Sequence, residues 1–132
     1  MNDFPPSRQT SFAAALSLAF GLIAWSFLPF AGALVAVICG HVARAEIRRS
    51  AGSIDGDGLA VAGLILGWLQ LLLLGLAVAA WVGGFDLIYS CQDIDFDRAH
   101  GLHSIPSRVG PQRTLEISEM MHGASVGLLA AV

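Results

Sequence analysis

Two long apolar stretches, separated and followed by polar segments, dominate the chain. No Asp, Glu, Lys or Arg occurs from Gln9 to Ala43, and none from Gly58 to Phe85. Each stretch exceeds the roughly 20 apolar residues that cross a hydrocarbon core of about 30 Å. Backbone amides and carbonyls find no partner in lipid, so such a stretch must be helical and satisfy itself. As one straight helix the first stretch would measure about 52 Å, too long for a single crossing. Pro29 lies in its middle, and proline removes a backbone donor and clashes with the preceding turn. The pattern therefore predicts helices over 11–27, 30–50 and 58–83. Whether the first two form a hairpin or one kinked span stays open. Their apolar parts are short against the usual ~20 residues, while a hairpin keeps Arg8 on the same side as the later arginines.

The polar segments set the boundaries. Residues 1–10, with Pro5-Pro6, read as a disordered leader, 11–85 as a helical transmembrane domain, and 86–132 as a polar extramembrane tail. Gly52-Ser53-Ile54-Asp55-Gly56-Asp57-Gly58 is a turn by composition. Asp57 is placed to cap the helix that follows. Trp81 marks an interface, where amphipathic rings settle. The tail carries Gly101, Pro106, Gly110 and Pro111 and reads as largely irregular, with one short helix over 112–122. Its last run, Ala124 to Val132, is apolar but too short to span.

Composition sharpens this picture. The 132 residues are 55% hydrophobic and 13% charged, and mean hydropathy is +0.70. A domain of this size buries only about two-thirds of the surface its unfolded chain exposes, so a water-soluble fold cannot hide so much apolar area. Arg44, Arg48 and Arg49 cluster between the apolar stretches, whereas Asp93, Asp95 and Asp97 follow the second. Short loops rich in arginine stay cytoplasmic, which puts 44–57 inside and the tail outside. With no lysine and no basic stripe, nucleic acid is excluded as a partner. Cys39 and Cys91 are too few for a disulfide framework. Phe12 to Leu28 followed by Ala31-Gly32-Ala33 mimics a signal peptide, but the apolar run continues to Gly40, so the segment is read as retained.

Small residues recur every four positions: Ala13, Ser17 and Gly21; Gly32, Ala36 and Gly40; Gly63, Gly67, Gly75, Ala79 and Gly83. Such spacing lines them along one stripe, where helix backbones approach closely. The partner of that stripe is another helix of the same chain, a second copy, or another membrane protein. His41 lies beside Arg44 at the expected interface, where a neutral imidazole costs little. Gln70, alone among apolar neighbours, reads as an interhelical hydrogen bond. The apolar segments hold none of the charged groups that ion and proton pathways use, which argues against a pump. Chemistry is concentrated in Cys91, Asp93, Asp95, Asp97, His100 and His103, oxygen and nitrogen donors for a divalent metal. Aspartates two apart share a face only if extended, and the two histidines only if helical, so a solvated acidic segment is the preferred reading. No serine elbow and no Cys–His pair suggests nucleophilic catalysis, and no cofactor is expected.

Two blocks carry a family resemblance: GHVARAEIRRS, Gly40 to Ser50, and GLAVAGLILGW, Gly58 to Trp68. Over residues 13–72 the chain resembles a bacterial membrane family catalogued as domain of unknown function 4190. That resemblance implies a helical inner-membrane protein and no known activity. The expectation is an all-α integral membrane protein of the bacterial inner membrane. Its role would be non-enzymatic, structural or interaction-mediating, with lipid around it and a second copy or another membrane protein as partner. A membrane-tethered metal-binding or metal-sensing tail is the alternative.

Overall fold

The structure is a computed structural model and describes residues 9–132. It is mostly helical, in order β1 (Gln9–Thr10), α1 (Phe12–Ala24), α2 (Pro29–Arg49), β2 (Ile54–Asp55), α3 (Asp57–Ser90), a 3-10 turn (Cys91–Asp93), α4 (Ile94–Ala99), α5 (Ile105–Val109) and α6 (Pro111–Ala130). Two helical runs, Pro29–Arg49 and Asp57–Ala99, are long and apolar enough to cross a membrane. The chain divides into one compact unit that runs to Leu72 and another from Leu73 to Ala131. Helix α3 contributes to both.

In the first unit α1 and α2 form an antiparallel hairpin. Ser11 caps α1 by accepting a bond from the Ala14 amide at 3.3 Å, which satisfies one of the orphan donors of a helix start. The break falls at 25–28, just ahead of Pro29, and Pro29 itself opens α2. Proline suits that position because its missing N–H is one that a first turn leaves unbonded anyway. Helix α1 buries Ala14, Ser17, Gly21 and Ala24, and α2 buries Gly32, Ala33, Ala36, Val37, Gly40 and Ala43. All but Val37 are small, so what holds the helices is close backbone approach and not interlocking large side chains.

The residues beyond the ends of these helices are tied together. Parallel pairing sets Gln9 opposite Ile54 and Thr10 opposite Asp55. The Ser11 amide donates to the Asp55 carbonyl at 2.8 Å, and the Ser11 hydroxyl to Glu46 Oε2 at 2.8 Å. Gln9 and Thr10 were expected in a disordered leader. They form a strand instead, because the α2–α3 loop offers free carbonyls beside them. Residues 1–8 of that leader lie outside the described part.

Helix α3 runs to Ser90, past the expected stop at Gly83. The Gly83-Gly84 pair reads locally as a terminus, but α6 packs there: a Cβ on Gly83 would meet Met121 Cε at 2.7 Å and one on Gly84 would meet His122 Cε1 at 2.5 Å. Tertiary contact outweighs the weak helix propensity of glycine. Nor is the tail largely irregular. Ser104 caps α5, Pro111 opens α6, and α6 extends to Ala130, eight residues beyond the expected end at His122. It does so across Gly123 and Gly127 because Thr114, Ser118 and Ser125 form a buried edge, a periodicity that the surrounding polar residues obscure.

Helix α2 ends with Ser50 followed by Ala51 at φ 49° and Gly52 at φ 91°. A left-handed alanine brings its Cβ too near the following carbonyl, at a cost of about 1–2 kcal/mol. Ala51→Gly should therefore stabilise the protein by about 1 kcal/mol. The check is a rise in unfolding midpoint with the helical circular dichroism of the folded state unchanged.

Candidate functional site

The hydroxyl of Ser17 donates to the Ala36 carbonyl of α2 at 2.8 Å. On its other side α3 comes so close that a Cβ on Gly63 would overlap Ser17 Oγ and stand 2.5 Å from the Ser17 carbonyl carbon. Gly40 completes the junction, since its Cβ would lie 2.8 Å from Ser17 Oγ and 2.5 Å from Leu64 Cγ. Gly67 backs onto Ala33 and Val37, with 3.0 Å to the Ala33 carbonyl oxygen, and Gly32 backs onto Ala24 at 3.0 Å. Ala36 is fully buried as well. Thus Gly32, Ala36, Gly40, Gly63 and Gly67 all sit at helix contacts within the chain. Gly75 does not: it is exposed, with no atom within 4 Å of where its Cβ would stand. Ala79 is exposed too.

Polar side chains join the same helices. Gln70, fully buried, donates from Nε2 to the Ala24 carbonyl at 3.1 Å. Ala24 ends α1, where the last carbonyls of a helix lack intrahelical partners, so Gln70 serves as a C-terminal cap supplied by another helix. The second unit repeats the device with serine. Ser118 donates to the Gly84 carbonyl and Ser125 to the Ala77 carbonyl, both at 2.7 Å. Both pairs are spaced by seven, two helical turns, so α6 lies antiparallel to the 73–90 part of α3 over at least that span. His122 stands among the aromatic edges there, 5.0 Å from the Trp81 ring and 4.9 Å from that of Phe85. Its Nδ1 lies 2.8 Å from the Ser118 carbonyl, a contact that requires the proton on Nδ1. Apart from Gln70, the signal in sequence was too weak to find these bonds, since a lone serine in an apolar run is common.

Of the three arginines that set the charge pattern, Arg44 pairs with Asp57, Nε to Oδ1 at 2.9 Å. Arg48 and Arg49 are exposed on the last turn of α2, where positive charge suits the helix dipole. Asp57 is thereby the first residue of α3 and the partner of Arg44, not the cap expected of it. The Gly56 carbonyl accepts the first backbone bonds of the helix, from the Leu59 and Ala60 amides. His41 is exposed.

The candidate metal ligands of the tail do not converge. Among the described residues no three His, Cys, Asp or Glu side chains are grouped to hold a metal ion. Asp95 and Asp97 lie in the first turn of α4, which turns them away from the extended arrangement that would align them. His100 stacks on Phe96, with centroids 4.0 Å apart, and its Nδ1 contacts the Phe96 carbonyl at 2.9 Å.

Two predictions follow from these contacts. Gly63→Ala should destabilise the fold by about 1–3 kcal/mol, the usual cost of overpacking, whereas Gly75→Ala should be neutral or stabilise by up to about 1 kcal/mol. Unfolding by denaturing detergent, followed by tryptophan fluorescence, separates the two. Ser118→Ala and Ser125→Ala should each cost about 0.5–1.5 kcal/mol, the net worth of an intramolecular hydrogen bond, measured in the same titration.

No curated protein and no solved structure matches the chain. A family model does, and it covers 13–84, from the start of α1 to the glycine pair of α3. The matched segment takes in the contacts of Ser17, Gly32, Gly40, Gly63, Gly67 and Gln70, and it extends past the 13–72 over which GHVARAEIRRS and GLAVAGLILGW carried the resemblance. The chain belongs to the family described as Domain of unknown function (DUF4190).

Proposed function

We propose that this protein is a non-enzymatic integral membrane module of the bacterial inner membrane, with structural or interaction duties. One observation carries the reading: burial is inverted with respect to a water-soluble protein. The largest side chains that are fully buried are Gln70, Thr114, Pro106, Ser17, Ser118 and Ser125, none of them a large apolar group. Phe30, Ile38, Ile65, Trp68 and Leu72 are each more than half exposed. Small residues inside and large apolar ones outside is the arrangement expected when lipid is the solvent, because apolar side chains gain nothing by leaving it. In water the same surface would be an apolar patch far above what monomers tolerate. Its hydroxyls support a structural role, since Ser17, Ser118 and Ser125 spend their protons on backbone carbonyls of neighbouring helices.

Self-association, or association with another membrane protein, fits Gly75 and Ala79 better than the Gly63–Gly67 pair. The latter is filled by α1 and α2, whereas Gly75 and Ala79 are a small pair four apart on an exposed face. Gly75→Ile should weaken cross-linked species in membranes while leaving the monomer folded. Cross-linking equal to that of the unaltered protein rules the face out.

Orientation follows from Arg44, Arg48 and Arg49 on the last turns of α2, beside the short α2–α3 loop, an end that the positive-inside rule assigns to the cytoplasm. The segment that follows Ser90 then starts on the periplasmic side. A membrane-impermeant maleimide applied to intact spheroplasts should label Cys91, with a Cys91→Ser variant as control. Labelling only after lysis reverses the assignment.

A further inference from the structure

Helix α6 carries Arg113, Glu116 and Glu119 in its first half and no charged side chain after Glu119. Helix α3 carries none from Gly58 to Phe85 and resumes at Asp86. The bonds Ser118–Gly84 and Ser125–Ala77 fix how the two helices lie side by side. In that antiparallel register Glu119 is level with Gly83, and Asp86 follows within one turn. Charge thus ends on both helices at the same height, and Trp81 and His122 meet just beyond it. From there, residues 123–131 run beside the charge-free part of α3.

We propose that α6 is half inserted: its charged first half stands in water, and residues 123–131 enter the lipid leaflet beside α3. The inference rests on the membrane reading of α3 above. The charge-free run of α3 measures about 42 Å, more than the hydrocarbon core, so Ala77 and its neighbours lie within lipid depth if α3 spans. The inserted segment is about 14 Å long, the thickness of one leaflet. Val78 is 60% exposed, Val126 56% and Leu129 49%, and acyl chains are the partner that fits them. A side notch of about 290 Å³ between the helices is lined by Ala77, Val78, Trp81, Ser125 and Leu129. Its one polar side chain, Ser125, already donates to the Ala77 carbonyl. A helix entering lipid must satisfy its hydroxyls within the protein, and this one does.

The test places single cysteines at Leu72, Leu115 and Leu129 of the full chain, with Cys39→Ala and Cys91→Ser. Each is labelled with bimane and reconstituted in phosphatidylcholine vesicles with or without acyl-chain bromination. Bromines quench only fluorophores that touch the chains. Labels at Leu72 and Leu129 should lose most of their emission, and the label at Leu115 should keep it. Quenching at Leu72 without quenching at Leu129 overturns the insertion of α6 and leaves the membrane reading standing. If Leu72 also escapes, both are overturned. Val126→Cys repeats the assay on the same face, so a fault confined to one variant cannot decide the result.

Discussion

Three helices meet around a single hydroxyl, and the first unit is arranged so that they can. Ser17 reaches the Ala36 carbonyl, while Gly40 and Gly63 are the positions at which any side chain would collide with it. In lipid, burial of apolar surface gives no reason for helices to associate, so attraction has to come from dispersion at close range and from hydrogen bonds. Both demand short interhelical distances, and short distances demand glycine, alanine and serine. On the membrane reading proposed above, the same constraint accounts for the small residues at the helix contacts and for the many Phe, Leu, Ile and Trp side chains left on the outside.

Much of this was legible in the chain because it depends on local pattern. The helix break at Pro29 and the helical run from Asp57 can be read from spacing and from the absence of charge. The small-residue spacing runs through Gly32, Gly40, Gly63 and Gly67, which stand at helix contacts, and equally through Gly75, which does not. Gln70 stood out for a similar reason, being one polar side chain among leucines. What escaped depends on tertiary partners. Gly83-Gly84 signals a stop by propensity, yet Met121 and His122 occupy the space their missing side chains leave. The strand at Gln9–Thr10 exists only because Ile54–Asp55 lies alongside. Helix α6 was underestimated because its buried edge is made of Thr114, Ser118 and Ser125, and hydroxyl residues do not register as a hydrophobic stripe.

The tail shows how misleading a collection of ligand types can be. Cys91, three aspartates and two histidines within a short span suggest a metal in sequence, but a divalent ion needs its donors in one place. Helical turns through Asp95 and Asp97 and the stacking of His100 on Phe96 disperse them. What orders this part of the chain includes the helix cap at Ser104, the two serine bonds to α3 and the packing of His122 on Trp81 and Phe85.

The amide of Gln70 reaches the Ala24 carbonyl across 46 positions of sequence, and this carries a consequence for biogenesis. When α1 and α2 emerge from the ribosome they have each other, but the Ala24 carbonyl at the end of α1 still lacks the partner that Gln70 supplies. Its donor lies in the first half of α3, which is synthesised after both helices of the hairpin. The end of α1 is therefore completed only when α3 docks, and one hydrogen bond ties it to a helix made later in the chain.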